Sequence, residues 1–336
     1  MNYSNVTETL ALYPAMTVAR QHELNAWIGT TLAVSLIGVL NNIIALWVTC
    51  SASLQKSGVG PLIVHFVAVN LLMCLVTSPS AVLVVLAIRD GLYLVASSCF
   101  IMETLFITNI SLVNWSDVGL TANRVVALYF PNSYKSWITR PVKALFIGFP
   151  WIVSLGVMLP VTFLSHSRNT SFSPIIQCAV KNNEHLRKSP IVLLVYLSYA
   201  ISAIGSLLIV WKCFTGFSGR RTAVSGQARG LEAVARQRKA KQQLNIAKML
   251  LGIFVWNLLC TLPGYVIFSA FPDLYRTRPV SVMWVRTPLA CQYAFMPCVL
   301  ILSNTEYQRR LRHLFHGHRV TVAVRVQNNA RRGPAL

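Results

Sequence analysis

The chain has 336 residues, of which 54% are hydrophobic and 12% charged, with 30 Lys and Arg against 9 Asp and Glu for a net charge of +21. A soluble domain carries about 25% charged residues, and a mean hydropathy of +0.55 is too apolar for a water-exposed surface of this length. Soluble globular, disordered and collagen-like chains are therefore excluded, the last because 17 Gly and 15 Pro follow no period.

In chain order, residues 1–25 read as a polar outer tail without a cleavable apolar segment behind a basic start. The first apolar stretch is then expected to act as an uncleaved signal anchor. Seven stretches follow, near 26–50, 61–87, 98–129, 142–164, 190–213, 246–270 and 280–303. Each reaches the roughly 20 apolar residues needed to cross a hydrocarbon core about 30 Å thick. They are too long and too continuous for the alternating strands of a barrel, and a helix satisfies its backbone polar groups within one span. The expected fold is all-α: a seven-span bundle over 26–303, then a short amphipathic helix and basic tail over 304–336. No internal repeat suggests a transporter built from two halves.

Charge orients the bundle. With the N-terminus outside, 21 of the 30 lysines and arginines fall on inner segments, as the positive-inside rule requires. The basic excess then reads as topology plus attraction to anionic membrane lipid, about 1 kcal/mol per residue near the surface, and not as nucleic-acid binding. The sequons at Asn2, Asn5 and Asn169 fall outside in this arrangement and are candidate glycosylation sites, whereas those at Asn109 and Asn114 lie within the third span. Cys99 and Cys178 also face outward, into the compartment where disulfides persist. Cys50, Cys74, Cys213, Cys260, Cys291 and Cys298 read as small apolar packing residues. No Cys-x-x-Cys or His-x-x-x-His spacing points to a metal, and no cofactor is implied. His65, alone in the second span, reads as a packed polar residue. The tail has no cysteine after Cys298, which removes palmitoylation as an anchor for the eighth helix. No catalytic constellation is present, so an enzyme is not expected.

Several motifs, in order, carry a resemblance. Ile37-Gly38-Val39-Leu40-Asn41-Asn42 holds a Gly-x-x-x-Asn segment ending on Asn42. Cys99 precedes Arg124 by 25 residues. Trp151 lies in the fourth span, Cys260-Thr261-Leu262-Pro263 in the sixth and Pro297 in the seventh, and Tyr307-Gln308-Arg309-Arg310-Leu311 follows. Together they resemble the rhodopsin-family (class A) G-protein-coupled receptors. Gly119 to Arg124 and Phe130-Pro131-Asn132-Ser133-Tyr134 are similar to a narrower group: the moody and trapped-in-endoderm orphan receptors of insects, the melatonin receptors and a medium-chain fatty-acid receptor. The departures are as informative. Asn70 stands where the family has an aspartate, Asn123-Arg124-Val125 replaces Asp-Arg-Tyr, and Ala200 or a neighbour replaces the fifth-span proline. Thr261 replaces a tryptophan, Asn257 a phenylalanine, and Met296 and Leu300 an asparagine and a tyrosine.

The resemblance implies a plasma-membrane receptor that signals through heterotrimeric G proteins and also engages arrestin. It implies a Cys99–Cys178 disulfide and switch positions at Asn123, Arg124, Val125, Pro131, Pro263 and Pro297. The rival within the fold is a receptor-like scaffold, scavenger or arrestin-biased protein, and outside it a seven-helix channel or transporter. In most relatives an acid before the arginine pairs with it, and neutral Asn123 offers no such attraction. Asn70, without a carboxylate charge, makes a poor sodium ligand. Arg236 to Lys248 reads as a basic amphipathic extension of the sixth helix, serving either as a solvated end near lipid or as part of a G-protein footprint.

Asn42, Asn70, Asp117 and Asn257 form the candidate polar core. Asp117 is seven residues before Arg124, on nearly the same helical face. Two readings stand: a network with Asn70, Asn257 and Ser116, or a protonated acid facing lipid. Family position puts a ligand pocket between spans three, five, six and seven, near Glu103, Phe106, Ile107, Tyr196, Phe268, Arg286 and Tyr293. Arg286 suits an anionic ligand, or else pairs with Glu103, Asp273 or the headgroups.

Overall fold

The computed structural model describes residues 18–50, 60–89, 99–130, 133–137, 139–169, 190–223, 251–264, 266–267, 270–271, 279–303 and 307–312. Every element among them is a helix. The first spans Val18–Cys50. The second runs over Gly60–Leu72, continues as a π-helix over Met73–Thr77 and resumes over Ser78–Arg89. The third is Cys99–Tyr129, followed by a short helix Tyr134–Trp137. The fourth is Arg140–Asn169 and the fifth Pro190–Ala223. The sixth is Leu251–Gly264. The seventh is broken into Pro279–Val285 and Thr287–Ser303, and residues 307–312 form the eighth.

Helices outrun the apolar windows at their ends. The first begins at Val18, eight residues before the expected span, because Leu24 and Trp27 are buried in an outer cluster with Val82, Val85, Val280 and Met283. Trp27 Nε1 donates to Met283 O at 3.0 Å and ties this end to the seventh helix. The fourth helix keeps Pro150 and Pro160 inside it.

The bundle is built around two helices. The first packs on the second and seventh, and the third on the fourth and fifth. Small residues permit the closest approaches. A Cβ on Gly38 would come within 3.0 Å of the Ala294 backbone and would overlap Cys74 Sγ, and one on Gly205 would overlap the Thr121 methyl. The main core joins Phe66, Met73, Leu112, Met296, Leu300 and Tyr307. The third helix is buried without a break from Ser111 to Thr121. The fourth instead exposes Leu145, Phe149, Ile152 and Leu155. These are apolar side chains facing the solvent of this protein, which is lipid.

Candidate functional site

At the inner end of the third helix, Asn123 is buried and Arg124 half-buried. Tyr134, on the short helix that follows, donates its hydroxyl to Asn123 Oδ1 at 3.4 Å. Asn123 Nδ2 and Arg124 Nε have no hydrogen-bond partner among the described residues. The guanidinium is instead within electrostatic reach of two phenols, Tyr134 and Tyr307. Burial pushes both phenols above their usual range, against their hydrogen bonds with Asn123 and Thr49, so they face the arginine as neutral hydroxyls. Tyr307 opens the eighth helix fully buried. Its Oη lies 3.4 Å from Thr49 Oγ1, which donates to Ala45 O at 2.6 Å. The sequence pointed to Asn123 and Arg124 and missed their tyrosine partners, although both tyrosines lay in motifs it singled out. Val125 packs against the core, and Pro131 lies outside the described residues.

Further out, Asn42 Nδ2 donates to Gly38 O at 2.8 Å and to Tyr293 O at 3.2 Å, and Asn41 Nδ2 to Ala294 O at 3.1 Å. Two adjacent amides thus clamp the first helix onto the seventh. The expected partners of Asp117 are engaged elsewhere. Asn70 Nδ2 bonds Phe66 O at 2.8 Å in its own helix. Asn257 Oδ1 accepts from Gln292 Nε2 at 3.1 Å, and Thr261 Oγ1 donates to Asn257 O at 2.6 Å. Ser116 Oγ bonds Leu112 O at 2.6 Å. The carboxyl of buried Asp117 accepts from Ser202 on the fifth helix. It faces the bundle and not lipid, with a partner the sequence did not suggest because the fifth span lacks the proline that would have fixed its register. Pro297 is buried inside the seventh helix, whereas Pro263 is exposed on the sixth.

His65 is a packed polar residue, as read. Trp151 Nε1 donates to its Nε2 at 2.9 Å, so the ring proton resides on Nδ1, 3.5 Å from Ser116 Oγ. The ring joins the second, third and fourth helices.

An outer cavity lies beside the expected pocket position. A space of about 60 Å³ lies between the first, second, third and seventh helices, lined by Trp27, Thr31, Met73, Phe106, Arg286 and Tyr293 among others. The expected pocket lay between spans three, five, six and seven. Ile107 and Tyr196 do not line the cavity, and Tyr196 is 46% exposed on the fifth helix. The side chains of Glu103 and Phe268 lie outside the described residues, as do the Cys99 side chain and Cys178, Asn2 and Asn5. Asn169 ends the fourth helix. A backbone break shapes one wall of the cavity. The seventh helix breaks at Arg286, whose N–H reaches back to Met283 O at 3.0 Å, and the guanidinium comes to rest 5.1 Å from the Phe106 ring centroid. No group of His, Cys, Asp and Glu among the described residues is arranged to hold a metal ion.

The sequence pattern of the 7 transmembrane receptor (rhodopsin family) matches residues 41–299. The chain belongs to this family. It is a multi-pass membrane receptor by family and by its long apolar helices. No curated protein matches it. At its inner end a neutral Asn123–Tyr134 pair stands beside the third-helix arginine.

Proposed function

We propose that this receptor lies in the plasma membrane with its N-terminus outside, and passes ligand binding to a heterotrimeric G protein through a rearrangement of its inner helix ends. The observation that carries the reading is the setting of Arg124. An arginine in a membrane helix is costly unless it has a partner or a task, and among the described residues this one has an unmet Nε donor, no carboxylate beside it and two neutral phenols in electrostatic reach. Such an arginine is lightly held and free to turn toward a cytosolic partner. The basic stretch from Arg236 to Lys248 and the exposed Arg309 and Arg312 of the eighth helix suit the acidic face of such a partner, arrestin included. The ligand is an acidic, lipid-like small molecule. A Cys99–Cys178 disulfide ties the outer loop to the third helix, and Asn2, Asn5 and Asn169 carry glycans.

The deciding experiment is G-protein activation in cells, basal and with acidic lipids, for the native chain and Arg124→Ala at equal surface expression. Activation lost in the variant supports the reading, and activation that survives overturns it. A second reading has its own support: Thr261, Met296 and Leu300 replace family switch residues, and Asn257 and Gln292 lock the sixth helix to the seventh. A receptor-like scaffold, scavenger or arrestin-biased protein would show arrestin recruitment or ligand uptake with no G-protein signal from either chain.

A further inference from the structure

The inner end of the third helix holds two neighbouring donors without acceptors among the described residues. Asn123 is 2% exposed, and its Nδ2 has no hydrogen-bond partner there. Arg124 Nε, one residue on, is buried and equally without one. A buried donor left unpaired is costly, and more so when it is charged. The groups in reach do not relieve the pair. Asn123 Oδ1 takes the Tyr134 hydroxyl, and the guanidinium has the phenols of Tyr134 and Tyr307 within electrostatic reach. Both donors want acceptor oxygens, and one of them wants negative charge.

Tyr134 is placed to bring them. It is half-buried on the one-turn helix Tyr134–Trp137. That turn is closed on Ser133 O, which accepts from Ser136 N at 3.1 Å and from Ser136 Oγ at 2.7 Å. Tyr134 reaches the third helix through its hydroxyl, 3.4 Å from Asn123 Oδ1. O–H···O bonds are usually about 2.7–2.8 Å long, so this tie is weak. A single turn of helix also holds itself poorly, and Ser133 and Ser136 are exposed. The segment can therefore leave the bundle and return to it. Its three hydroxyls differ in what they meet. Ser136 is bonded within the turn and Ser133 lies in solvent, whereas Tyr134 lies against Asn123 and Arg124.

We propose that Tyr134 is a phosphorylation site whose phosphate is received by Arg124 and Asn123. The γ-phosphoryl group of ATP passes to Tyr134 Oη on a protein tyrosine kinase. The new Oη–P bond replaces the bond from that phosphorus to the oxygen bridging it to the β-phosphate, ADP leaves, and the phenolic proton goes to the kinase's base. The product carries about −1.5 to −2 charge and three acceptor oxygens. These oxygens accept from the Arg124 guanidinium and from Asn123 Nδ2, and bonds to a charged group are roughly twice as strong as neutral ones. A phosphate reaches further than a hydroxyl, and the weak tie at 3.4 Å lets the turn move outward to seat it. The inference rests on the receptor reading above, which puts this end in the cytosol with ATP and kinases. It adds a regulation of the same arginine: the modification supplies, reversibly, the anion that neutral Asn123 does not, and an arginine clamped by it no longer turns toward a partner.

The test has two arms, both without G protein. In the first, cells expressing the full-length receptor are treated with vanadate to block tyrosine phosphatases, and the purified receptor is read by peptide mass spectrometry. The peptide holding Tyr134 should carry one phosphoryl group, and Tyr134→Phe should abolish it. In the second, phosphotyrosine is installed at position 134 during synthesis, and the purified receptor in lipid nanodiscs is given a broad-specificity tyrosine phosphatase. The phosphate should leave at least about tenfold more slowly than from the same chain with Arg124→Gln, the size of one lost charge-assisted hydrogen bond. Asn123→Ala should speed its removal by about threefold to tenfold, and keeps the test decisive if the arginine variant fails to fold. Ser136→Ala should change the rate by less than about twofold. Tyr134 left unmodified in the first arm, or phosphate lost equally fast from the native, Arg124→Gln and Asn123→Ala chains in the second, would overturn the site. A protected phosphate in a chain that activates no G protein leaves the site intact and removes only the signalling reading. Signalling that depends on Arg124 in a chain whose phosphate is unprotected does the reverse.

Discussion

The third and fourth helices pack against each other and obey opposite rules. The third carries Asn109, Ser111, Asn114, Ser116, Asp117, Thr121 and Asn123, and buries all of them. The fourth carries Leu145, Phe149, Ile152 and Leu155, and exposes all of them. In water the second pattern would be a fault. In hydrocarbon an exposed leucine costs nothing, whereas an exposed amide loses hydrogen bonds worth several kcal/mol. The polar helix is therefore driven to the centre and surrounded, and the apolar one is left at the rim. Glycines follow the same division. Gly205 of the fifth helix meets the third with no room for a methyl, while Gly148 and Gly156 of the fourth have no atom within 4 Å of a built Cβ.

Substitutions can break this contrast. The largest effect is expected from Gly205→Val, which drives a branched side chain into Thr121 and should cost about 3 kcal/mol or more. A large fall in thermal stability in detergent and in surface yield would register it, and a native-like melting temperature would mean that the fifth helix does not press on the third. Next comes Asp117→Leu, which leaves Ser202 without its acceptor and should cost about 2 kcal/mol. Asp117→Asn keeps an acceptor and should lose less than half as much. A leucine variant more stable than the asparagine variant would show that the site tolerates an apolar side chain as the fourth helix does.

A smaller change is expected at the inner end. Asn123→Asp supplies a carboxylate beside Arg124 and should favour the resting arrangement by about 1 kcal/mol, lowering basal G-protein signalling several-fold at equal surface expression. Unchanged or raised signalling would mean that Tyr134 and Tyr307 already hold the arginine fully. The smallest effect belongs to the rim. Gly156→Ala meets nothing and removes a flexible residue from a helix interior, so it should raise stability by about 0.5 kcal/mol. Destabilisation of a size like that at Gly205 would reveal a partner seated on the fourth helix. Thiol labelling of the intact surface protein should find Cys99 and Cys178 unreactive until reduction.

Much of this was legible in the sequence, because the hydrocarbon thickness and the cost of unpaired backbone groups fix the number and length of spans without reference to packing. The order of short motifs gave the family, and it singled out Gly38 and Asn42, which the structure then shows at the contact of the first and seventh helices. Arg124, alone at a span's inner end, announced itself by charge. Hydropathy was least informative for the third helix. Its polar residues keep it from reading as a plain apolar span, and they are also why it is central.

Contacts between helices were decided only by the tertiary structure. The sequence placed Asp117 on the face of Arg124 but could not choose Ser202 over Asn70, Asn257 or Ser116, since rotation of one helix against another leaves no periodic trace. Nor could it bring Tyr134 and Tyr307, 173 residues apart by their numbers, to the same arginine. The outer cavity depended on a π turn at Met73–Thr77 and a break at Arg286, each a small change in backbone winding. Residue type and span length follow from the energy of single groups in lipid, which the sequence states directly. The position of the cavity follows from the rotation and winding of whole helices, which only the packed bundle fixes.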